Sequence, residues 1–257
     1  MKITILTLFP EMFSSFLDYS IIRRAIAKGL VSFELVNIRD FTKDRHHRVD
    51  NPPVGGGAGL ILMCQPVLDA LKSVRPSSSR VILTSPKGAI FNQEKAELLS
   101  KEEHLIFLCG HYEGMDDRIE AYADETLSIG DFILTGGEMA VMTVSDAIIR
   151  LIPGVITEES TKTESFSENV LEYPQYTLPY DYEGKKIPAI LFSGNHRAIE
   201  KYRRKQSLVL TRKYRPDLFE KLKLSAQDHK LLEEYDLGIT PKWEQEAIEK
   251  GKKFMKE

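Results

Sequence analysis

The 257-residue sequence predicts an α/β protein: a mainly parallel sheet with helices on both faces, followed by a small all-helical C-terminal domain. Three observations carry this expectation. Short, β-branched apolar runs alternate with segments of helical spacing as far as Leu151. After Pro153 the chain turns polar and acidic through residues 157–170 (TEESTKTESFSENV). From Asn195 onward only helical spacing is present. The expected division is therefore 1–156 for the α/β domain, 157–172 for a linker or lid, and 173–257 for the helical domain.

Ile3 to Phe9 alternate and branch at Cβ, so they read as a buried strand. SFLDYSIIRRAIAKG has apolar positions at helical spacing, and Gly29 is its stop. Val31–Ile38 reads as a second strand, and the charged, Pro- and Gly-bearing stretch Phe41–Gly59 as loop. There follow a helix near Pro66–Val74, a strand Arg80–Thr84, a helix Gln93–Leu99 and a strand Leu105–Cys109. A short helix Met115–Tyr122 leads to a strand Thr126–Ile129 and a helix Glu138–Leu151. Pro and Tyr mark turns between Pro174 and Pro188.

Composition narrows the function classes. Charged residues make up 28% and the formal net charge is −3, so the chain as a whole is not a basic nucleic-acid binder. Cys64 and Cys109 lie in apolar runs and read as buried free thiols of a reducing compartment. No CxxC, His-x-x-x-His or HExxH occurs, so no metal ligand set is expected. Pro10 and Glu11 interrupt the first apolar run too early for a signal peptide, and no run approaches membrane-spanning length. A cytoplasmic protein with no membrane partner is expected.

Three glycine-bearing segments stand out: Gly55–Gly59, Gly110–Gly114 and Ser128–Glu138. The second and third follow expected strands, where open α/β sheets bind ligands. Neither has the G-x-G-x-x-G frame or the Lys-Ser/Thr of a phosphate loop, so a nicotinamide or nucleoside-triphosphate site is disfavoured. One such cluster is more often a plain turn; two on neighbouring strands favour a site. Glu164 and Glu172 sit in the linker, where acids are usually only solvated. Arg150 ends a long apolar helix, and its ordinary role there is to complement the helix dipole.

The clearest charge feature is Lys185–Arg215, with ten basic residues against one acid, Glu200. Lys201, Arg203, Arg204, Lys205, Arg212, Lys213 and Arg215 form its dense part, with Tyr202 and Tyr214 interleaved. A solvated helix face is the bland alternative. In a protein of net −3, RNA is the better reading: the cations attract phosphate and the rings offer stacking faces.

The ordered motifs resemble one family, the bacterial tRNA (guanine-N1)-methyltransferases that modify the guanosine 3′ of the anticodon. They are LTLFPEMF (6–13), VDNPPVGGGAGLILMCQP (49–66), LTSPKG (83–88), LCGHYEGMDDR (108–118) and SIGDFILTGGE (128–138). IPGV (152–155), LEYPQYT (171–177), LFSGNH (191–196) and RRKQSL (203–208) complete the set, which covers nearly the whole chain. The resemblance implies a SPOUT-class domain with a deep trefoil knot cradling S-adenosylmethionine. It assigns the cofactor to Leu83, Thr84, Ser85 and Pro86, to Gly110, Tyr112 and Gly114, and to Ser128, Ile129, Gly130 and Asp131. Phe132, Ile133, Leu134, Gly136 and Gly137 complete that assignment. It also implies an obligate homodimer with active sites at the subunit interface, a tRNA anticodon stem-loop as substrate, and magnesium dependence without assigned ligands.

By the same resemblance Glu164 stands where the family usually has an aspartate base, Arg150 where it has the arginine that stabilises O6, and Glu113 where it helps hold the guanine. The chemistry suits these types: N1 of guanine carries a proton, and its removal pushes negative charge onto O6. Val54 and Ala140 replace a usual tyrosine and proline, and neither change removes a catalytic group. Two other readings are a related knotted enzyme with a different RNA target, and a non-catalytic RNA-binding protein. LEYPQYT with the basic helical domain disfavours the first, and the intact cofactor motifs the second.

Overall fold

The structure, a computed structural model, describes residues 1–157, 165–166 and 169–255. The chain divides into two compact units, Met1–Glu158 and Glu159–Glu257.

The first unit is built on five parallel strands: β1 (Lys2–Thr7), β2 (Ser32–Asn37), β5 (Ser79–Ile90), β6 (His104–Leu108) and β7 (Glu125–Ser128), in the spatial order β2-β1-β6-β5-β7. A separate two-stranded pair joins β3 (Asp50–Asn51) to β4 (Ile61–Leu62) within the long loop. Side-chain alternation feeds two cores. Ile3, Ile5, Ile82, Leu105 and Phe107 point to one face, where α2 (Ser20–Ala27), α4 (Gln93–Leu99) and α5 (Glu138–Ile149) cover them. Leu6, Val81, Leu83, Ile106 and Leu108 point to the other, against α3 (Cys64–Val74) and the 3-10 turn Asp117–Tyr122. A sheet buried on both faces needs such runs of apolar residues, which is why the strands read so clearly.

The expected helix over residues 15–29 is two pieces, α1 (Ser14–Asp18) and α2, broken at Tyr19. Ser20 has φ 56°, which ends one helix and re-aims the next. The strand expected at Arg80–Thr84 continues to Ile90. After Thr84 the chain leaves the ladder for Ser85–Gly88 and rejoins at Ala89, so that Thr84 and Ala89 both pair with Leu127. Gly88 permits the return: a Cβ there would lie 2.6 Å from the Leu127 backbone. The short helix expected at Met115–Tyr122 is a 3-10 turn.

The second unit contains α6 (His196–Tyr214), α7 (Pro216–Phe219), α8 (Ala226–Asp236) and α9 (Lys242–Lys252). It also contains a small hairpin, β8 (Asp181–Tyr182) with β9 (Lys185–Lys186), so it is helical but not wholly so. Asn195 caps α6 by accepting from the Ala198 amide, and Ser225 with Asp228 forms a capping box on α8. Leu208, Leu232 and Val170 make one small core, and Ile190, Ala198 and Ala247 another.

Gly251 in α9 lies directly on the 3-10 turn Ala189–Phe192: a Cβ would collide with the Ala189 carbonyl oxygen and sit 2.6 Å from its carbon. Gly251→Ala is therefore expected to cost about 1–3 kcal/mol, read as a lowered denaturant midpoint of unfolding. An unchanged midpoint would mean that α9 slides freely on that turn.

Candidate functional site

The excursion within β5 and the loops that follow β6 and β7 meet and enclose a cleft of about 450 Å3. Its wall carries residues 83–87 from the first loop, 110–117 from the second, and 127–130, 132–137 and Ala140 from the third. Of the cofactor residues expected from sequence, fifteen are on this wall; Asp131 is not, and is exposed. The structure thus brings together three motifs that are spread between Leu83 and Gly137 in the chain.

Specific contacts hold the loops in register. The Gly137 amide donates to the Gly110 carbonyl at 2.7 Å, and His111 bridges to Gly136. Thr84 Oγ1 donates to the Leu108 carbonyl at 3.1 Å, tying the β5 loop to the end of β6. Ser128 and Gly130 close a tight turn, Gly130 with φ 144°. Beneath the cleft the Thr7 hydroxyl donates to Glu138 Oε1 at 2.7 Å and accepts from the Phe9 amide at 3.0 Å. Glu138 is buried in the first turn of α5, where the helix N-terminus favours a carboxylate. This Thr7–Glu138 pair escaped the sequence reading, because nothing in the primary sequence links positions 131 residues apart.

Glu113 lies on the wall, and its side chain packs over Gly59, where a Cβ would fall 2.8 Å from the carboxyl carbon. The Glu113 amide donates to the Leu60 carbonyl, and the Leu62 amide to the Gly114 carbonyl. The first glycine segment, a plain loop by sequence, is therefore fastened to the second. His111 was also missed. Its ring lies 4.8 Å from those of Phe9 and Tyr112, and its buried Nδ1 has no hydrogen-bond partner among the described residues. Lys87 reaches Asp117 at 2.8 Å and also Glu120, placing a charged cluster at the rim.

The wall suits a ligand with a flat apolar part and polar ends. Leu83, Ile129, Leu134 and Ala140 supply apolar surface; the glycines expose backbone amides and carbonyls. Buried Nδ1 of His111 is a polar atom in want of a partner there. Among the described residues no group of His, Cys, Asp and Glu could hold a metal ion. Both cysteines are free; burial holds the Cys109 thiol well above its usual range, and burial with Asp116 raises Cys64.

Arg150 is the C-cap of α5, at the opposite end from Gly137, and does not line the cleft. A 12-residue helix spans about 18 Å, farther than one arginine side chain reaches back. Glu164 lies outside the described residues. Glu172 is described: its amide donates to Ser165 Oγ at 3.0 Å, and its carboxylate accepts from Gln175.

The basic stripe is thinner than its sequence. Lys205 is buried and paired with Glu244 at 2.5 Å, so it is withdrawn from any RNA surface. Arg204 grips buried Asp228 at 2.8 Å and holds that carboxyl below its usual range. Arg212 pairs with Asp236, and Arg215 with Asp217. Lys201 lies over the Trp243 ring at 5.4 Å and Lys213 over Tyr214 at 4.9 Å. Tyr202 packs beside Ile190 and Ala247 rather than offering a free face, and burial pushes its hydroxyl up to about 12.

Comparison with known proteins adds an independent finding. The family model described as tRNA (Guanine-1)-methyltransferase TrmD matches residues 1–221. A tRNA (guanine-N(1)-)-methyltransferase of Clostridium perfringens strain SM101 is 56% identical over 234 residues, 90% of this chain and 99% of that protein. Proteins of the same name from Clostridium botulinum are 56% identical (strain Eklund 17B, 90% and 98% covered) and 52% identical (strain Langeland, 92% and 99%).

Proposed function

The chain belongs to the tRNA (guanine-1)-methyltransferase family, and from that membership we propose that it transfers a methyl group from S-adenosylmethionine to N1 of the guanosine 3′ of the anticodon, position 37. The family has the SPOUT fold, and the five-stranded parallel sheet with its flanking helices is of that type. The trefoil knot and the cytoplasmic location are part of the proposal; among the described residues no helix is long and apolar enough to cross a membrane. The observation that carries the reading is the convergence of three family motifs on one cleft, formed by the excursion within β5 and the loops after β6 and β7.

In this reading the cleft wall holds S-adenosylmethionine, which supplies a methyl already activated by its sulfonium. The residues of the chain have three tasks. Glu164 takes the proton from N1, Arg150 faces the negative charge that then develops on O6, and Glu113 holds the base from the cleft side. Alignment of N1 with the methyl supplies much of the remaining acceleration. No magnesium ligand is assigned.

Two observations support a homodimer with shared sites. Arg150 lies about a helix length from the cleft of its own chain, so an O6 role requires the cleft of a second copy. Phe132, Ile133 and Leu134 on the cleft wall remain exposed, Ile133 at 80%, and Met139 in the first turn of α5 is exposed as well. A second subunit would cover these side chains.

Labelled methyl transfer to two tRNA transcripts, one with the guanosine 3′ of the anticodon and one without it, tests the proposal. Incorporation into the first alone is expected; equal or absent incorporation counts against it. For the thinner stripe, Lys201→Ala and Lys213→Ala are each expected to weaken tRNA binding at all sequences and to reduce the log–log salt slope by about 1. An unaltered slope would remove that residue from the phosphate-contacting set.

A further inference from the structure

The second unit has a pocket of its own, of about 250 Å3, unrelated to the cofactor motifs. Its principal walls are Tyr173, Tyr176, Leu178, Ile187, Phe192 and Arg203. Three features define what it would hold. The Arg203 guanidinium lies over the Tyr173 ring, 4.6 Å from its centroid, so a cation already sits on an aromatic face there. Phe192 is fixed by an edge-on contact with Tyr180 at 4.8 Å. Finally, no carboxylate lines the pocket among the described residues.

Charge sharpens the picture. Arg204, Arg212 and Arg215 on or just after the same helix each hold an aspartate, whereas no carboxylate pairs with Arg203 among the described residues. Of the stripe's cations that keep no acid partner among the described residues, Arg203 is the one at the pocket. Lys185 and Lys186 immediately precede Ile187 and are exposed. The volume is below the roughly 300–1,000 Å3 of sites that take whole small ligands, and suits one flat ring system. Aromatic faces, a guanidinium and nearby cations, of which Lys186 is shared with Asp181 at 3.8 Å, are what an unstacked base on a phosphate backbone recognises.

We propose that this pocket receives one unstacked nucleobase of the tRNA, distinct from the target guanosine, and thereby helps to set how the substrate is seated. The inference rests on the tRNA reading above and adds a second base-binding site, outside the catalytic unit.

The test pairs the full chain with a panel of tRNAs, each carrying a single abasic nucleotide outside the target guanosine. Tyr176→Ala is expected to raise the tRNA Kd by about 5- to 150-fold, the equivalent of losing one base stack. One abasic position should produce a similar loss in the wild type and no further loss in Tyr176→Ala, while thermal stabilisation by S-adenosylmethionine stays unchanged. A tRNA Kd within twofold of wild type, or no abasic position coupled to Tyr176, would overturn the pocket's assignment and leave a small molecule or a peptide as its occupant. If Tyr176→Ala misfolds, Tyr176→Leu gives the same comparison, keeping apolar volume while deleting the ring. Wild-type protein that neither binds nor methylates intact tRNA would sink the functional reading itself, and the pocket proposal with it.

Discussion

Glu164→Gln is expected to lower kcat for tRNA methylation by about 10²–10⁴-fold while leaving S-adenosylmethionine binding within twofold of wild type. The substitution keeps size and hydrogen-bonding reach but removes the ability to accept a proton. Guanine N1 is protonated at neutral pH and cannot attack the sulfonium methyl until that proton leaves, so the loss should fall on chemistry, not binding. Steady-state methyl transfer at saturating tRNA gives kcat, and a thermal shift with the cofactor gives binding. Glu164→Asp should retain turnover, since the carboxylate survives with one methylene less. Full activity of Glu164→Gln would move the base to Glu172, whose carboxylate lies near Gln175.

The parts of this fold that were legible in the sequence are those governed by local rules. Strand positions Ile3, Ile5, Ile82 and Phe107 alternate with Leu6, Val81 and Ile106 because each set fills its own core. Gln93–Leu99 was placed to the residue, and Asn92 caps it by accepting from the Lys95 amide. The failures have equally local causes. Nothing but Ser20 itself marks the break at Tyr19, and serine at φ 56° has no sequence signature. The strand expected to end at Thr84 instead makes an excursion through Pro86 and Gly88 and returns. The β8–β9 turn uses Glu183 at φ 51° before Gly184 at φ 81°, and glutamate is an unusual first residue for such a turn.

The site was legible as a set of motifs and illegible as a network. Glycines after strands pointed to the cleft, but the support beneath it, Thr7 with Glu138, joins opposite ends of the first unit. The pairing of the basic stripe was illegible for the same reason. Counting charge along Lys185–Arg215 could not show Asp228, Asp236 and Glu244, which return to Arg204, Arg212 and Lys205 from 24 to 39 residues away. Paired cations hold the second unit together. Only unpaired ones such as Arg203 remain for a polyanion, so local charge density overstates an RNA surface wherever later helices pack back onto the stripe.

Gly137→Ala is expected to raise the Kd for S-adenosylmethionine at least tenfold and to lower the unfolding temperature of the enzyme. The cause is space rather than backbone freedom, because Gly137 has φ −78°, which any residue adopts. A Cβ there would meet Thr84 Oγ1 and lie 2.9 Å from both Cys109 Cα and the Gly110 nitrogen. Two of those three atoms are backbone at the end of β6, the most buried part of the sheet, and they have nowhere to retreat. Overpacking of this kind costs about 1–3 kcal/mol. The strain is relieved only by pushing α5 away from β6, which lengthens the 2.7 Å bond from the Gly137 amide to the Gly110 carbonyl and opens the cleft wall. Adding Thr84→Ala removes the hydroxyl but neither backbone atom, so it should restore only part of the affinity. Isothermal titration of the single and double variants separates these cases. An unchanged Kd in Gly137→Ala would mean that the two loops move apart without penalty, and that cofactor binding does not depend on their close approach.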